Sequence, residues 1–69
     1  MRRRFGKVIT ALADRDESIY VLVGDIGYRV FDVFRSCHPN RFINMGVCEQ
    51  SMISVSAGMA LEGLKPWVY

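Results

Sequence analysis

Apolar positions recur every three or four residues at the start of the chain, at Phe5, Val8, Ile9 and Leu12, with Arg4, Lys7, Thr10 and Asp14 between them. This spacing lays an apolar stripe along one side of a helix and predicts helix one over about residues 3 to 14. The charged run Asp14-Arg15-Asp16-Glu17-Ser18 ends it in a surface loop. The period then changes: Ile19-Tyr20-Val21-Leu22-Val23 is apolar without alternation and rich in β-branched and aromatic residues, the pattern of a strand covered on both faces. Gly24-Asp25-Ile26-Gly27 closes that strand with turn chemistry. Val30, Phe31, Val33 and Phe34 predict a short second helix ending near Ser36, and His38-Pro39-Asn40 breaks the chain. Phe42-Ile43-Asn44 is a short second strand. From Cys48 to about Leu61 the pattern is helical, with Met52, Val55, Met59 and Ala60 on one side. Ser54, Ser56, Ala57 and Gly58 make a small-residue surface there, suited to close approach by another backbone. Gly63 fits the C-terminal cap, Pro66 follows beyond it, and Trp67-Val68-Tyr69 begins a third strand.

The order α-β-α-β-α-β with short links predicts an α/β fold, a three-layer arrangement in which a mostly parallel sheet is flanked by helices. Three strands and three helices cover such a sheet only in part and leave its edges open, so the chain reads as the first part of a larger domain or one that relies on a partner. In open sheets of this kind, ligands bind in the crevice beyond the strand ends, where side chains and free backbone groups converge. The stretch Asn40 to Gln50 combines a strand end, a glycine turn and a helix start, which directs attention to Glu49.

Bulk properties narrow the classes. The 69 residues make at most one domain, and their composition, 51% hydrophobic and 23% charged, is that of a globular protein rather than a disordered one. The basic residues Arg2, Arg3, Arg4 and Lys7 crowd the amino terminus, but the net charge is only +2 and no second basic run follows, so this is a solvated helix start rather than a nucleic-acid face. Cys37, Cys48 and the single His38 fall short of a zinc signature and read as free thiols in a reducing compartment. No signal-peptide pattern is present, and the apolar run Ile19 to Val23 is far too short to cross a bilayer. The expectation is a cytoplasmic protein with no membrane and no nucleic-acid partner.

Each residue at the turns has a plain reading beside a functional one. Gly46 either relieves backbone strain or lets a ligand approach the main chain. Glu49 either complements the helix dipole or carries chemistry. Asp25 after a strand suits a cap or turn. Gly24-Asp25 matches the opening of a Gly-Asp-Gly magnesium-diphosphate motif, but Ile26 occupies the third position, and no metal is assigned to this chain.

Arg41 to Gln50 (Arg-Phe-Ile-Asn-Met-Gly-Val-Cys-Glu-Gln), followed by Ser56-Ala57-Gly58-Met59-Ala60 and Glu62-Gly63-Leu64-Lys65-Pro66, resembles the pyrimidine-binding domain of the transketolase family of thiamine-diphosphate enzymes. Phe5-Gly6, Gly24-Asp25 and His38-Pro39 fall where that family has similar residues, so the resemblance covers essentially the whole chain and makes residues 1–69 the N-terminal part of such a domain. It implies that Glu49 is the glutamate contacting N1′ of the cofactor's aminopyrimidine. A hydrogen bond there favours the imino tautomer that takes the proton from the thiazolium carbon, so Glu49 acts as the acid-base trigger. It implies further that Asp25 lies near the cofactor at a subunit interface, that Gly46 and Glu49 bind the cofactor with it, that the protein is a dimer or larger oligomer, and that a partner domain or subunit holds the diphosphate and Mg2+.

The resemblance also has departures. The aromatic residues that stack on the aminopyrimidine in the family lie downstream of Tyr69. Sugar-phosphate transketolases carry a small hydroxyl residue just after the aspartate turn, whereas this chain has Gly27-Tyr28-Arg29, which leaves Arg29 or the N-terminal arginines to receive a phosphate. The expected function is that of a pyrimidine-domain fragment or split subunit transferring two-carbon ketol units between sugars. Deoxyxylulose-phosphate synthase, the β-subunit of 2-oxo-acid dehydrogenases and a non-catalytic interaction module are the alternatives.

Overall fold

In a computed structural model the protein is described over residues 2–25 and 29–69. Helix α1 (Arg2–Arg15) leads into β1 (Ile19–Val23), α2 (Asp32–Cys37), a 3-10 turn at Pro39–Arg41, β2 (Phe42–Asn44), α3 (Glu49–Leu61) and β3 (Lys65–Val68). The strands form one parallel sheet in the order β2-β1-β3. The α/β architecture expected from the alternating pattern is thus present, with the most apolar strand in the middle. Val21, Leu22 and Val23 pair with Phe42, Ile43 and Asn44 on one side, and Ile19 to Leu22 pair with Lys65 to Val68 on the other.

Successive residues of a strand face opposite sides of a sheet, so β1 supplies two cores. Ile19, Val21 and Val23 join Ile9 and Ala13 of α1, Phe31, and Phe34 of α2 in one buried cluster. Phe5, Phe42 and Tyr69 pack against its edge, with Phe31 set edge-on to Tyr69 at 5.1 Å. Leu22, fully buried, faces the other side, where α3 lies on β3 and β1 and contributes Met52.

Several details differ from the sequence pattern. Helix α1 buries Ile9, Thr10 and Ala13, while Val8 and Leu12 stay 50% and 43% exposed. The buried stripe is therefore rotated from the one that Val8 and Leu12 suggest, because Gly6 rather than a large side chain marks the point of closest approach. Residues 30 and 31 precede α2 instead of opening it. On α3 the sheet-facing positions are Met52 and Ser56, whereas Val55 and Ala60 are exposed. The small residues are divided accordingly: Ser56 faces inward and Ser54, Ala57 and Gly58 outward. Strand β3 begins at Lys65, ahead of Trp67, and contains Pro66. That is tolerated because β3 is an edge strand: the N–H groups of Lys65 and Tyr69 reach β1, at Ser18 O (2.8 Å) and Leu22 O (2.9 Å), and the missing N–H of Pro66 faces away.

The ends of α3 and α1 are closed by different chemistry. Gly63 takes φ 91°, its N–H bonds Ala60 O at 3.0 Å and the Leu64 N–H bonds Met59 O at 3.1 Å, a Schellman cap as the glycine predicted. At α1, Arg41 reaches back from the start of β2 and donates to the carbonyls of Ala13 (3.3 Å), Asp16 (3.0 Å) and Ile19 (3.4 Å). It also donates to His38 Nδ1; since a guanidinium only donates, Nδ1 accepts and the Nε2 proton goes to Asp14 at 2.7 Å. One arginine thereby ties the exit of α1, the loop and β1 to β2.

Asp16 pins the same loop to β3. Its carboxylate accepts from Lys65 Nζ at 2.6 Å, from Ser18 Oγ at 2.5 Å and from the Ser18 N–H at 3.0 Å, and these bonds, Lys65 first, hold its pKa well below the usual carboxylate range. Because the folded pKa is depressed, the stabilisation is complete above the unfolded pKa of about 4 and is lost as pH falls further toward the folded value. Unfolding followed below about pH 4 is expected to show a shallower loss of stability in Lys65→Met than in the parent; parallel curves would remove Lys65 from this account.

Candidate functional site

The chain leaves β1 for α2 on one face of the sheet and leaves β2 for α3 on the other. Adjacent strands whose connections depart to opposite faces open a crevice between their C-terminal ends. Gly24-Asp25 follows β1 there, and Met45 to Cys48 joins β2 to α3.

Three side chains or turns meet at this point. Asn44, the last residue of β2, accepts the Asp25 N–H at 3.1 Å and the Gly46 N–H at 2.9 Å through a single Oδ1. Its Nδ2 makes a longer, weaker contact of 3.4 Å with Asp25 Oδ1. Asp25 adopts φ 61°, a left-handed conformation that aspartate tolerates better than most residues. Gly46 has φ 71°, and a Cβ there would meet nothing within 4 Å, so backbone conformation rather than crowding calls for glycine. Gly24 is different: a Cβ would stand 3.2 Å from Gly46 O, which shows how closely the two turns abut. Ile26 and Gly27 of the predicted turn lie outside the described residues.

Glu49 is the first residue of α3 and is exposed. Cys48 makes no side-chain cap, leaving N–H groups of the first turn open to another acceptor. With Gln50, Ile53 and Ser54, Glu49 lines an open depression of about 480 Å3. Asp25 and Gly46 are thus brought together through Asn44, and Glu49 stands three residues beyond Gly46 on a separate surface. Ile53 in the depression is 60% exposed, and Val47 before α3 and Leu61 at its far end are 74% and 88% exposed. Cys37 and Cys48 are both exposed free thiols.

Arg29 shares a second cleft, about 190 Å3, with Arg3 and Lys7 from the first turns of α1. Gly6, Val30 and Val33 form its apolar floor. Sequence reasoning offered Arg29 and the N-terminal arginines for a phosphate but counted Lys7, one turn after Arg3, only as part of a solvated helix start. It also missed Asn44 and Arg41. An Asn at a strand end two residues before a glycine is a turn signal and could have been noticed; the bonds of Arg41 span 22 to 28 residues and leave no local trace.

The profile of the family described as "Transketolase, pyrimidine binding domain" matches residues 1–69. The chain belongs to this family. It is 46% identical to the "Putative uncharacterized transketolase family protein y4mN" of Sinorhizobium fredii, over 93% of this chain and 19% of that protein. It is 37% identical to a 1-deoxy-D-xylulose-5-phosphate synthase of Nitratidesulfovibrio vulgaris, over 93% of this chain and 10% of the enzyme. An "Uncharacterized 33.6 kDa protein in fasciation locus" of Rhodococcoides fascians is 35% identical over 94% of this chain and 21% of its own length. The transketolase pyrimidine domain seen here therefore spans from a tenth to a fifth of the curated relatives it matches. In these relatives the matched region is one part of a longer protein; in this chain Val8 and Leu12 of α1 and Ile53, Val55 and Leu61 of α3 are apolar and exposed. No helix among the described residues is long and apolar enough to cross a membrane.

Proposed function

We propose that residues 1–69 are the N-terminal part of the pyrimidine-binding domain of a cytoplasmic, oligomeric transketolase-like enzyme that transfers two-carbon ketol units between sugars. In this reading Glu49 is the acid-base residue of the cofactor site, with Asp25 and Gly46 beside the cofactor. The observation that carries it is the place of Glu49, an exposed carboxyl with no partner among the described residues, on the first turn of α3 three residues beyond Gly46, in a chain matched throughout by the family.

The residues fit the cofactor's ring. The depression beside Glu49 is open, within the size range of small-molecule sites, and lined by one carboxyl, one amide, one hydroxyl and the apolar Ile53, a donor set suited to a flat heteroaromatic amine. When bound, thiamine diphosphate supplies the carbon nucleophile. Glu49 would exchange a proton with the ring nitrogen through its carboxyl oxygen, and Ile53 would give the ring an apolar wall. Magnesium and the diphosphate belong to a partner domain or subunit, which also covers Val47, Ile53 and Leu61.

The gathering of Arg3, Lys7 and Arg29 around one cleft supports receipt of a sugar phosphate there, since Arg29 stands in place of the hydroxyl residue of sugar-phosphate transketolases. A second reading, deoxyxylulose-phosphate synthase chemistry, is favoured by the 37% identity to that enzyme; acceptance of a ketose donor against decarboxylation of an oxo acid separates the two.

The test is calorimetric titration of thiamine diphosphate with Mg2+ into this chain alone and mixed with its diphosphate-binding domain. Binding is expected only in the mixture and is expected to weaken in Glu49→Ala by about tenfold or more, the loss of one charge-assisted hydrogen bond. A folded mixture that binds no cofactor would leave the chain as a non-catalytic interaction module.

A further inference from the structure

Crevices between diverging connections are held by strand pairing on one side only. Beyond Val23 and Asn44 the ladder between β1 and β2 ends with the Met45 N–H to Val23 O at 2.8 Å, and from there the two chains part toward α2 and α3. Among the described residues, what joins them past that point is the Asn44 side chain. Its Oδ1 accepts one N–H from each departing turn, at 3.1 Å from Asp25 and 2.9 Å from Gly46, while Nδ2 faces Asp25 Oδ1 at 3.4 Å. No other residue type supplies this combination at this length. Aspartate has the acceptor without the donor, serine lacks the second polar atom, and glutamine places its amide one carbon farther out. The Gly24 backbone, close enough to Gly46 O that a Cβ would sit at 3.2 Å, shows that the two turns are drawn together at this clasp.

We propose that Asn44 is a positioning residue that sets the separation of the Asp25 and Gly46 turns and, through the three-residue lead from Gly46, the place from which Glu49 addresses the cofactor. The proposal rests on the reading of Glu49 given above for its functional half; the clasp itself is independent of it. Asn44 touches neither the depression beside Glu49 nor its lining, so its effect passes through the backbone.

The experiment compares Asn44→Ala, Asn44→Asp and Glu49→Gln in the complete protein with its diphosphate-binding partner. Backbone amide hydrogen exchange at Asp25 and Gly46 reads the clasp. Deuterium exchange of the acidic ring proton of added thiamine diphosphate reads the trigger. Asn44→Ala is expected to lose amide protection at both residues and to slow the cofactor proton exchange by roughly 10- to 100-fold, the cost of a displacement of about an ångström. Asn44→Asp keeps the acceptor for both N–H groups but sets a second carboxylate against Asp25 Oδ1, so it is expected to keep amide protection and to show a rate between those of the parent and Asn44→Ala, a split that a role in mere folding would not predict. Unchanged amide protection in Asn44→Ala, or an Asn44→Asp variant as slow as Asn44→Ala, would overturn the proposal. If Asn44→Ala fails to fold, Asn44→Asp decides alone: kept amide protection at Asp25 and Gly46 with a rate above background supports the clasp, and lost protection or a background rate refutes it. Glu49→Gln separates the two layers, because parental exchange in that variant removes Glu49 as the trigger, and with it the functional half of the proposal, whatever the amides show.

Discussion

Replacing Glu49 by glutamine in the complete protein is expected to lower kcat by at least about 100-fold, within the range that positioned acid-base groups contribute. Glutamine preserves shape and a hydrogen-bonding tip but cannot exchange a proton at the ring nitrogen. Stability is expected to change little, because Glu49 is exposed and its contribution to the fold is confined to the charge it places at the start of α3. Loss of that charge costs about 0.3–1 kcal/mol through the helix dipole. The paired measurement is steady-state kcat beside a denaturant midpoint. A kcat within about threefold of the parent would mean that Glu49 only complements the helix and that the chemistry lies elsewhere; a large fall in both quantities would mean that Glu49 holds structure. The separation of the two readouts is possible because the residue is presented by the fold without being used to build it.

What could be read along the chain was whatever is encoded by neighbours. The unalternating run Ile19 to Val23 announced a central strand, and the structure buries it between two parallel partners. Gly63 announced the end of α3 because a left-handed residue is needed at that cap, and φ 91° is what it has there. Glu49 and Gly46 were legible as a turn and helix start from spacing alone, and the resemblance added a role to them. Long-range bonds left no comparable signal. Arg41 looked like the residue after a chain break, yet it closes the exit of α1, and Asn44 looked like the last residue of a weak strand, yet it joins two turns. The orientation of α1 was misread for a related reason: hydrophobic spacing counts large side chains, whereas its closest contact is made by a residue with none. Val8 and Leu12 are apolar but uncovered, as are Val47, Ile53 and Leu61 on the opposite layer. An apolar stripe read from spacing therefore does not by itself say which of its side chains these residues cover.

Gly6 is where that closest contact gives a sharp expectation. A Cβ at this position would lie 2.0 Å from the carbonyl oxygen of Val30, 3.1 Å from its carbon and 3.4 Å from its Cγ1. The first of these is about an ångström inside any normal contact, and the obstructing atom is backbone, so no side-chain rotation relieves it. Helix propensity pulls the other way, since alanine is favoured over glycine inside a helix by about 1 kcal/mol. The overlap should win. To admit a methyl group, α1 must withdraw from the segment before α2 by about an ångström, and a gap of that size forfeits a quarter to a half of the dispersion energy of the atoms that lose contact. Those atoms include Ile9 and Ala13 on the same face of α1, which pack with Phe31 and Phe34. Gly6→Ala is therefore expected to destabilise the domain by about 3 kcal/mol, the upper part of the range for overpacking, measured as the shift in denaturant midpoint of the complete protein. A neutral or stabilising result would mean that propensity prevails and that α1 and Val30 do not approach as described. The same displacement would widen the cleft between Arg3, Lys7 and Arg29, because Gly6 and Val30 form its floor. The glycine thus links the seating of the first helix to the spacing of the cations above it, and a single methyl group should disturb both.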